Sequence, residues 1–155
     1  MSVPLFIFAD GSFNPDTRSG GWAFVVYENG RQIHADSGSA TGPANNGFEV
    51  LAVLKALTWL ATEAPDRKAV LQTDSRHVFE GCHRWRAIWR GNGWKRVNPN
   101  PRARKRQIPD ADLWQGVDRL LLGNPGVVIE WCKGHSGVAG NDVADCLARN
   151  RMHAT

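Results

Sequence analysis

Alternation of apolar and polar positions over the first forty residues predicts a strand followed by a hairpin. Pro4–Ala9 is an apolar run too short for a helix, which is typical of a buried strand. The segment "GGWAFVVYENGRQIHADSGSA", residues 20–40, predicts two more strands around Asn29 and Gly30, because both residues of an Asn-Gly turn tolerate positive φ. We therefore expect three successive antiparallel strands.

The pattern changes its period after Pro43. Apolar residues then recur every three or four positions as far as Glu63, which predicts an amphipathic helix. The other predicted elements are strands at residues 69–74 and 127–132, helices at 75–90, 110–122 and 140–150, and a Gly- and Pro-containing loop at 91–109.

This order of elements, βββαβααβα, predicts the topology. The last two strands follow helices, so we expect them to lie parallel to the first strand. The predicted fold is therefore α/β, a five-stranded mixed sheet of three antiparallel and then two parallel strands, with helices on both faces. A chain of 155 residues fits a single domain, residues 1–155.

Cysteine content and hydropathy indicate the cellular compartment in which the protein is expected. Three cysteines in a chain of this length argue against a disulfide scaffold and favour a reducing compartment. The N-terminus lacks the basic and apolar regions of a signal peptide, and no apolar run approaches the roughly 18 residues of a membrane helix. We expect a cytoplasmic monomer that does not enter a membrane.

Charge is distributed unevenly around the net value of +4. Residues 81–109, called the basic handle below, contain nine Lys or Arg and no acid, which leaves 10 basic and 15 acidic residues elsewhere. Such a handle, inserted within the domain and interleaved with tryptophans, suggests that it binds a polyanion while the acidic body binds a cation. The "PRARKR" run in the handle could instead be a nuclear-localisation-like signal.

Two acids stand at the ends of the first and fourth predicted strands, and they would be neighbours if those two strands are neighbours. Asp10 and Asp74 come at the carboxyl ends of these strands, where ligands bind in α/β sheets. Adjacent carboxylates repel one another at neutral pH unless a divalent cation lies between them, and hard oxygen ligands suit Mg²⁺. Glu49 and Asp145, both on predicted helices, are further candidates for the same site.

Each acid also has a simpler interpretation. Asp10 could belong to a turn with Gly11, and the Asp74–Ser75 pair could cap the following helix. Glu49 and Asp142 could simply interact with a helix macrodipole, and Asp145 could be a solvated helix residue. No single position decides between these interpretations, so the order and spacing of the whole set must do so.

The motifs "ADGS", "NNGFEVLAVLKAL", "LQTDS", "ADLWQ" and "KGHSGVAGNDVADCLAR" occur in the order of one known family. From about Leu5 to Arg149 the chain resembles a type 1 ribonuclease H of the bacterial kind with a basic protrusion. The resemblance implies the ribonuclease H fold and an endonuclease that hydrolyses the RNA strand of RNA–DNA hybrids. It further implies two Mg²⁺ ions, with Mn²⁺ a possible substitute, and products with 5′-phosphate and 3′-hydroxyl ends.

The resemblance also assigns residues. It makes Asp10, Glu49, Asp74 and Asp145 the metal-binding acids and His135 the catalytic histidine of a Gly-flanked loop. The residues expected to contact the hybrid are Asn14, Asn45, Asn46, Arg76, Arg84, Trp85, Arg86, Trp89, Trp94, Lys95 and Asn141. The asparagines could alternatively cap a helix, and the tryptophans could anchor the handle to the body. Ala44, Gly47 and Phe48 depart from the residues common in the family and put its DNA-phosphate pocket in question.

Three other hypotheses remain at this stage. Cys132, His135 and Cys146 could bind zinc, although no second pair with metal-site spacing is present. The protein could be another nuclease of the same broad fold, such as a transposase-like strand-transfer enzyme. It could also be a module that binds the hybrid without cleaving it, an idea that the presence of all four acids disfavours.

Overall fold

Five strands form one mixed sheet in the order β3-β2-β1-β4-β5 in a computed structural model that describes residues 3–95, 108–134 and 139–153. The antiparallel strands β1, β2 and β3 are joined to two strands, β4 and β5, that run parallel to β1. The strand bounds are Leu5–Asn14, Ser19–Glu28, Arg31–Thr41, Ala69–Thr73 and Val127–Trp131. The predicted fold class is confirmed.

The predicted turn between β2 and β3 is also confirmed. Asn29 and Gly30 both have positive φ, 51° and 75°. Two such residues in succession give the backbone twist that matches antiparallel strands.

Helices lie where the sequence predicts them, with one difference. Their bounds are α1 Asn45–Glu63, α2 Arg76–Glu80, α3 Arg86–Gly91, α4 Ala111–Gly123 and α5 Ala139–Met152. The predicted helix at residues 75–90 is interrupted between α2 and α3 by a π-helical turn, Gly81–Trp85. The ring of Trp114 lies against Gly81 and leaves no space for a Cβ atom there. None of the described helices is long and apolar enough to cross a membrane.

Alternation along β1 places successive side chains on opposite faces of the sheet. Ile7 and Ala9 belong to the main core, which includes buried residues of α1, whereas Phe8 packs with Val25 and Ala144 of α5. Asp10 therefore lies on the same face as Phe8, the face covered by α5.

Strand β1 is longer than predicted. It continues to Asn14, and Asp10 pairs with Ala23 of β2 inside the ladder, so the interpretation of Asp10 as a turn residue is wrong. The strand prediction failed because Gly11 and Ser12 carry no apolar side chain to extend the pattern. The parallel pairing of β1 with β4 nevertheless ends at Ala9 and Thr73. Asp10 and Asp74 are the residues that directly follow this last pair.

Candidate active site

Three carboxylates meet just beyond the end of the β1–β4 ladder. Asp10, Glu49 and Asp74 each offer one carboxylate oxygen, and these oxygens all lie within 4.8 Å of one another. Asp10 and Glu49 are only 3 % and 7 % exposed, and Asp74 is half-buried. Charges this close and this buried need a counter-charge, so the arrangement favours a divalent cation.

Close contact between α1 and β1 brings Glu49 into this cluster. A Cβ atom at Gly11 would lie 2.5 Å from the backbone nitrogen of Glu49 and from the carbonyl carbon of Phe48. Only glycine permits that approach. The amide of Gly11 donates to Glu49 Oε2 (3.1 Å) and to Asp10 Oδ1 (2.9 Å), and one backbone N–H therefore orients both carboxylates.

Asp145 reaches the cluster from α5. Its carboxyl lies within hydrogen-bonding range of Asp10, on the face of the sheet that α5 covers, and it also pairs with Arg149 at 3.0 Å. The structure thus places all four acids named from the sequence around one point. Three of them form the tight group, and Asp145 adjoins it through Asp10.

The helix-cap interpretation of the Asp74–Ser75 pair applies to the serine. Ser75 Oγ accepts a hydrogen bond from the amide of Val78 at 3.2 Å, which caps α2.

Burial and mutual repulsion raise the pKa of two acids in the cluster. Burial raises the pKa of Asp10 most, and the charges of Glu49 and Asp74 raise it further. Burial and the charge of Asp74 likewise raise the pKa of Glu49, against a lowering by the hydrogen bond from Gly11. Without a cation, the folded protein therefore retains protons that the unfolded chain releases.

We expect the metal-free protein to lose stability as pH rises. The ordinary carboxyl pKa values are 3.8 for Asp and 4.5 for Glu, and both are raised on folding. Above about pH 4 the folded state binds more protons than the unfolded state, so the free energy of unfolding falls as pH increases into the neutral range. Thermal unfolding in EDTA between pH 5 and 8 measures this slope.

Mg²⁺ should flatten the pH slope, because bound cations stabilise the ionised carboxylates. Asp10→Asn should flatten it without metal, whereas Asp142→Asn, an exposed acid in the first turn of α5, should not. If the wild-type slope were the same in EDTA and in Mg²⁺, repulsion between the ionised carboxylates would not lower the stability of the folded protein.

The donor set fits a hard divalent cation. The described residues offer only carboxylate oxygens in the cluster, and Mg²⁺ prefers oxygen ligands to sulfur. Cys132 lies close enough for Asp74 and Asp10 to raise its pKa, after the larger effect of burial, and its Sγ is 3.8 Å from Asn141 Oδ1. The zinc hypothesis also needs His135, which lies outside the described residues, so it stays untested.

His135 and residues 136–138 lie outside the described residues, so its assignment stays a prediction. Gly134 immediately before it is described. A Cβ atom at Gly134 would lie 2.9 Å from Asp74 Oδ2, and the chain therefore leaves β5 directly beside the cluster.

The four asparagines predicted to contact substrate differ in their surroundings. Asn45 and Asn46 are exposed at the start of α1; the N-cap is Ala44, without a side-chain cap, so the capping alternative is wrong. Asn14 Oδ1 accepts from the amide of Asp16 at 2.9 Å. Asn141 is 2 % exposed and faces Cys132.

Tryptophans of the basic handle join α3 to α4 and the core. Trp85 stacks on Trp89 with ring centroids 6.3 Å apart, and Trp89 meets Trp114 of α4 edge-on at 5.4 Å. Trp89 and Trp94 are partly buried against the core, whereas Trp85 remains 41 % exposed. The anchoring interpretation thus describes Trp89 and Trp94, and Trp85 presents its ring to solvent.

The basic side chains of the handle divide into two groups. Arg86 and Arg90 both bind Asp118 Oδ1 of α4, at 2.7 and 2.6 Å, and Arg86 Nε also donates to the carbonyl of Cys82. Arg84 and Lys95 are exposed, and the Arg84 guanidinium lies 5.5 Å from the Trp85 ring centroid. The other five basic residues of the handle lie outside the described residues.

Sequence reasoning missed two residues that shape this site. Gly11 could have been found only from the close helix contact, which sequence periodicity does not encode. Trp131 ends β5, and its indole Nε1 donates to the backbone carbonyl of Asp74 at 3.3 Å. Its place could have been inferred from the sequence. Trp131 and Asp74 both stand at the carboxyl ends of predicted strands, and β4 and β5 were predicted to be parallel.

Together, the fold and site define an α/β protein with a carboxylate cluster suited to a divalent cation. The chain belongs to the ribonuclease H family, whose model, described as RNase H, matches residues 3–153. It is 36 % identical over 152 residues to a ribonuclease H from Francisella tularensis subsp. novicida, covering 96 % of this chain and 90 % of that protein. It is 34 % identical to a ribonuclease H from a Cyanothece species, covering 92 % and 85 % respectively.

Solved structures agree with this assignment. The crystal structure of LC9-RNase H1, a type 1 RNase H with the type 2 active-site motif, superposes with a TM-score of 0.80 at 26 % identity, covering 97 % of this chain and 72 % of that chain. A foamy viral protease-reverse transcriptase in complex with an RNA/DNA hybrid gives a TM-score of 0.83 at 20 % identity, covering 97 % and 20 %, which is a likeness of fold.

Proposed function

We propose that this protein is an endonuclease that hydrolyses the RNA strand of RNA–DNA hybrids with two Mg²⁺ ions. The observation that carries the proposal is the meeting of Asp10, Glu49 and Asp74 within 4.8 Å, in a chain that belongs to the ribonuclease H family. Mn²⁺, which also accepts oxygen ligands, is expected to substitute.

The four acids would hold the two ions between them. Asp10 lies against Glu49, Asp74 and Asp145 and would be the central ligand of the set. Glu49 and Asp145 approach from opposite faces of the sheet and would each complete the ligands of one ion. When bound, the two Mg²⁺ ions would supply charge neutralisation and water activation for an in-line displacement at phosphorus. The products would carry 5′-phosphate and 3′-hydroxyl ends.

The remaining side chains would act on protons and on the substrate. His135 follows Gly134, which lies against Asp74, and we expect its imidazole to transfer protons at the reacting phosphate, because histidine is the side chain that commonly exchanges protons near neutral pH. Asn45 and Asn46 present exposed amides in the first turn of α1, the helix that carries Glu49, and such amides suit sugar and base edges in a minor groove. RNA differs from DNA there by its 2′-hydroxyl, which can both donate and accept a hydrogen bond.

The exposed part of the basic handle would bind the backbone of the hybrid. Phosphate contacts give affinity without sequence preference, as a substrate recognised by its shape requires. Trp85, which is 41 % exposed, and the Arg84 guanidinium over its ring together would offer apolar and cationic contacts to the sugar–phosphate backbone. Arg86 and Arg90 hold Asp118 and thereby fix the handle helix on α4.

Replacing both Arg84 and Lys95 with Ala should weaken hybrid binding and lower its salt dependence. Each lost phosphate contact is expected to reduce the log–log slope of affinity against salt by up to about one. Fluorescence anisotropy with a labelled hybrid, measured in EDTA from 50 to 300 mM KCl, gives both quantities.

A charge-matched control is the Arg31→Ala/Lys68→Ala protein. Both residues are exposed at the end of the sheet opposite Asp10, next to Glu28 and Ala69. An equal loss of slope in the control and in the handle variant would mean that net charge, and not the handle, sets the affinity.

The function is tested by incubating the protein with Mg²⁺ and four substrates: a hybrid, single-stranded RNA, double-stranded RNA and duplex DNA. Cleavage confined to the RNA of the hybrid, with 5′-phosphate termini, is the expected result. Nicked DNA would support the strand-transfer nuclease instead. A hybrid that is bound but stays intact in both Mg²⁺ and Mn²⁺ would support the non-catalytic module.

A further inference from the structure

An exposed cation stands beside the carboxylate cluster. Arg76 is the first residue of α2, two positions after Asp74, and its side chain is exposed. Its guanidinium carbon lies 4.4 Å from the centroid of the Trp131 ring. Trp131 is the last residue of β5 and pairs in register with Thr73, the residue before Asp74. The Arg76–Trp131 pair therefore borders the cluster on the β5 side.

Trp131 is held beside Asp74 by a hydrogen bond to the backbone. Its Nε1 donates to the backbone carbonyl of Asp74 at 3.3 Å, while 38 % of the residue remains exposed. An indole face attracts a guanidinium through the ring quadrupole. The ring thus orients Arg76 relative to the very backbone that positions Asp74.

The guanidinium of Arg76 keeps its donors available, because contact with a ring uses none of its N–H groups in a hydrogen bond. The donors of a guanidinium match two oxygens of a phosphate. Among the described residues, no carboxylate forms an ion pair with Arg76. Arg86 and Arg90 differ in this respect, because Asp118 holds both of them.

An anionic cluster repels the phosphates that flank the one being cleaved. A fixed cation at the border of the cluster offsets this repulsion without competing for the metal ions. Arginine also differs chemically from an amide side chain, which reads a base edge by donating and accepting, because a guanidinium has no acceptor. The local chemistry therefore favours a phosphate over a base.

On these grounds we propose that Arg76, positioned by Trp131, binds a backbone phosphate of the hybrid next to the scissile one. This inference rests on the proposed function and names one contact of the same site. Trp131 acts through Arg76 as a positioning residue, because its ring holds the guanidinium carbon 4.4 Å from the ring centroid.

The test measures hybrid binding against salt in EDTA and hydrolysis in Mg²⁺ for Arg76→Ala, Arg76→Lys, Trp131→Phe and Trp131→Leu. Arg76→Ala should weaken binding about tenfold and reduce the log–log salt slope by about 0.7 to 0.9. Its KM should rise by the same factor with kcat changed less than about twofold, since the contact is made equally in ground and transition states. Arg31→Ala is the matched control and should leave all of these values unchanged.

The other variants separate charge from geometry. Arg76→Lys should keep the salt slope but recover only part of the affinity, because a lysine is a point charge without the planar donors. Trp131→Phe keeps a ring and should stay within about threefold of wild type. Trp131→Leu should weaken binding, and adding Arg76→Ala to it should cost less than Arg76→Ala alone, as expected for coupled residues.

Two results would overturn the inference: an Arg76→Ala protein with wild-type affinity, or one with weakened affinity and an unchanged salt slope, which would place the contact on a base or sugar. Additive effects of Trp131→Leu and Arg76→Ala would refute the positioning role. Wild-type protein is assayed alongside. If the wild-type protein does not cleave the hybrid at all, the proposed function is wrong. If the wild type cleaves normally and Arg76→Ala binds and cleaves as the wild type does, only the proposed Arg76–phosphate contact is wrong.

Discussion

Asp74→Asn is expected to bind an RNA–DNA hybrid as well as the wild type but to cleave it at least about 1,000-fold more slowly, a loss of about 4 kcal/mol in transition-state stabilisation. The carboxylate of Asp74 is one of the three that lie within 4.8 Å, and the amide that replaces it carries no charge to hold a cation. Binding should survive because the exposed handle lies on other elements. Single-turnover cleavage and anisotropy on the same hybrid measure the two effects.

The charge repulsion in the cluster gives this variant a second signature. Removing one of the adjacent carboxylates relieves the electrostatic cost that raises the pKa of Asp10 and Glu49, so Asp74→Asn should melt at a higher temperature than wild type in EDTA. Mg²⁺ should then stabilise it less than it stabilises wild type. Asp142→Asn, which removes an exposed acid of α5, is the control. Turnover at the wild-type rate in Asp74→Asn would contradict the metal assignment.

Gly11→Ala should have the second largest effect, although it adds only one methyl group and changes no charge. The added Cβ atom would lie 2.5 Å from the backbone of Phe48 and Glu49, so α1 must move away from β1. We expect a loss of about 2–3 kcal/mol in the free energy of unfolding. We also expect at least about 100-fold slower cleavage, because small misplacements of catalytic groups are costly. Chemical denaturation and single-turnover kinetics measure the two losses.

Gly123→Ala provides the comparison for Gly11→Ala. Gly123 ends α4, and nothing lies within 4 Å of the position its Cβ would take, so activity and stability should stay close to wild type. If Gly11→Ala were as active as Gly123→Ala, the close contact of α1 with β1 would not be what places Glu49.

The topology could be predicted because it depends on local patterns. Period-two runs and the Asn29–Gly30 turn define the antiparallel strands, and the helices between later strands require a parallel arrangement. Once β1 and β4 are neighbours, Asp10 and Asp74 must lie side by side. The meeting of these two acids thus follows from the sequence only together with the pairing of β1 and β4, which the structure supplies.

Glu49 and Asp145 do not follow in the same way. Each is a helix acid whose local pattern is compatible with ordinary solvent exposure, and only the family resemblance singled them out. Their place in the site depends on how closely two helices approach the sheet, which glycine at position 11 decides for α1. Packing contacts of this kind join distant segments, so no window along the chain contains them.

The handle illustrates a second limit. Charge counting treated Arg84, Arg86 and Lys95 as equivalent, but Asp118 of α4 holds Arg86 at 2.7 Å. The partner lies 32 residues away, beyond any helical spacing. The π-helical turn at Gly81–Trp85 is a similar case. It begins at Gly81, where the Trp114 ring packs against the backbone, and helical periodicity cannot predict that contact.

Two catalytic cations should bind where Asp10, Glu49, Asp74 and Asp145 meet. Anomalous diffraction from a crystal of the protein grown with a non-cleavable hybrid and Mn²⁺ would locate them. We expect two manganese peaks roughly 4 Å apart, with Asp10 touching both and with Glu49, Asp74 and Asp145 completing their ligands. A well-ordered hybrid on the handle, with no manganese among these four side chains, would refute the two-cation site.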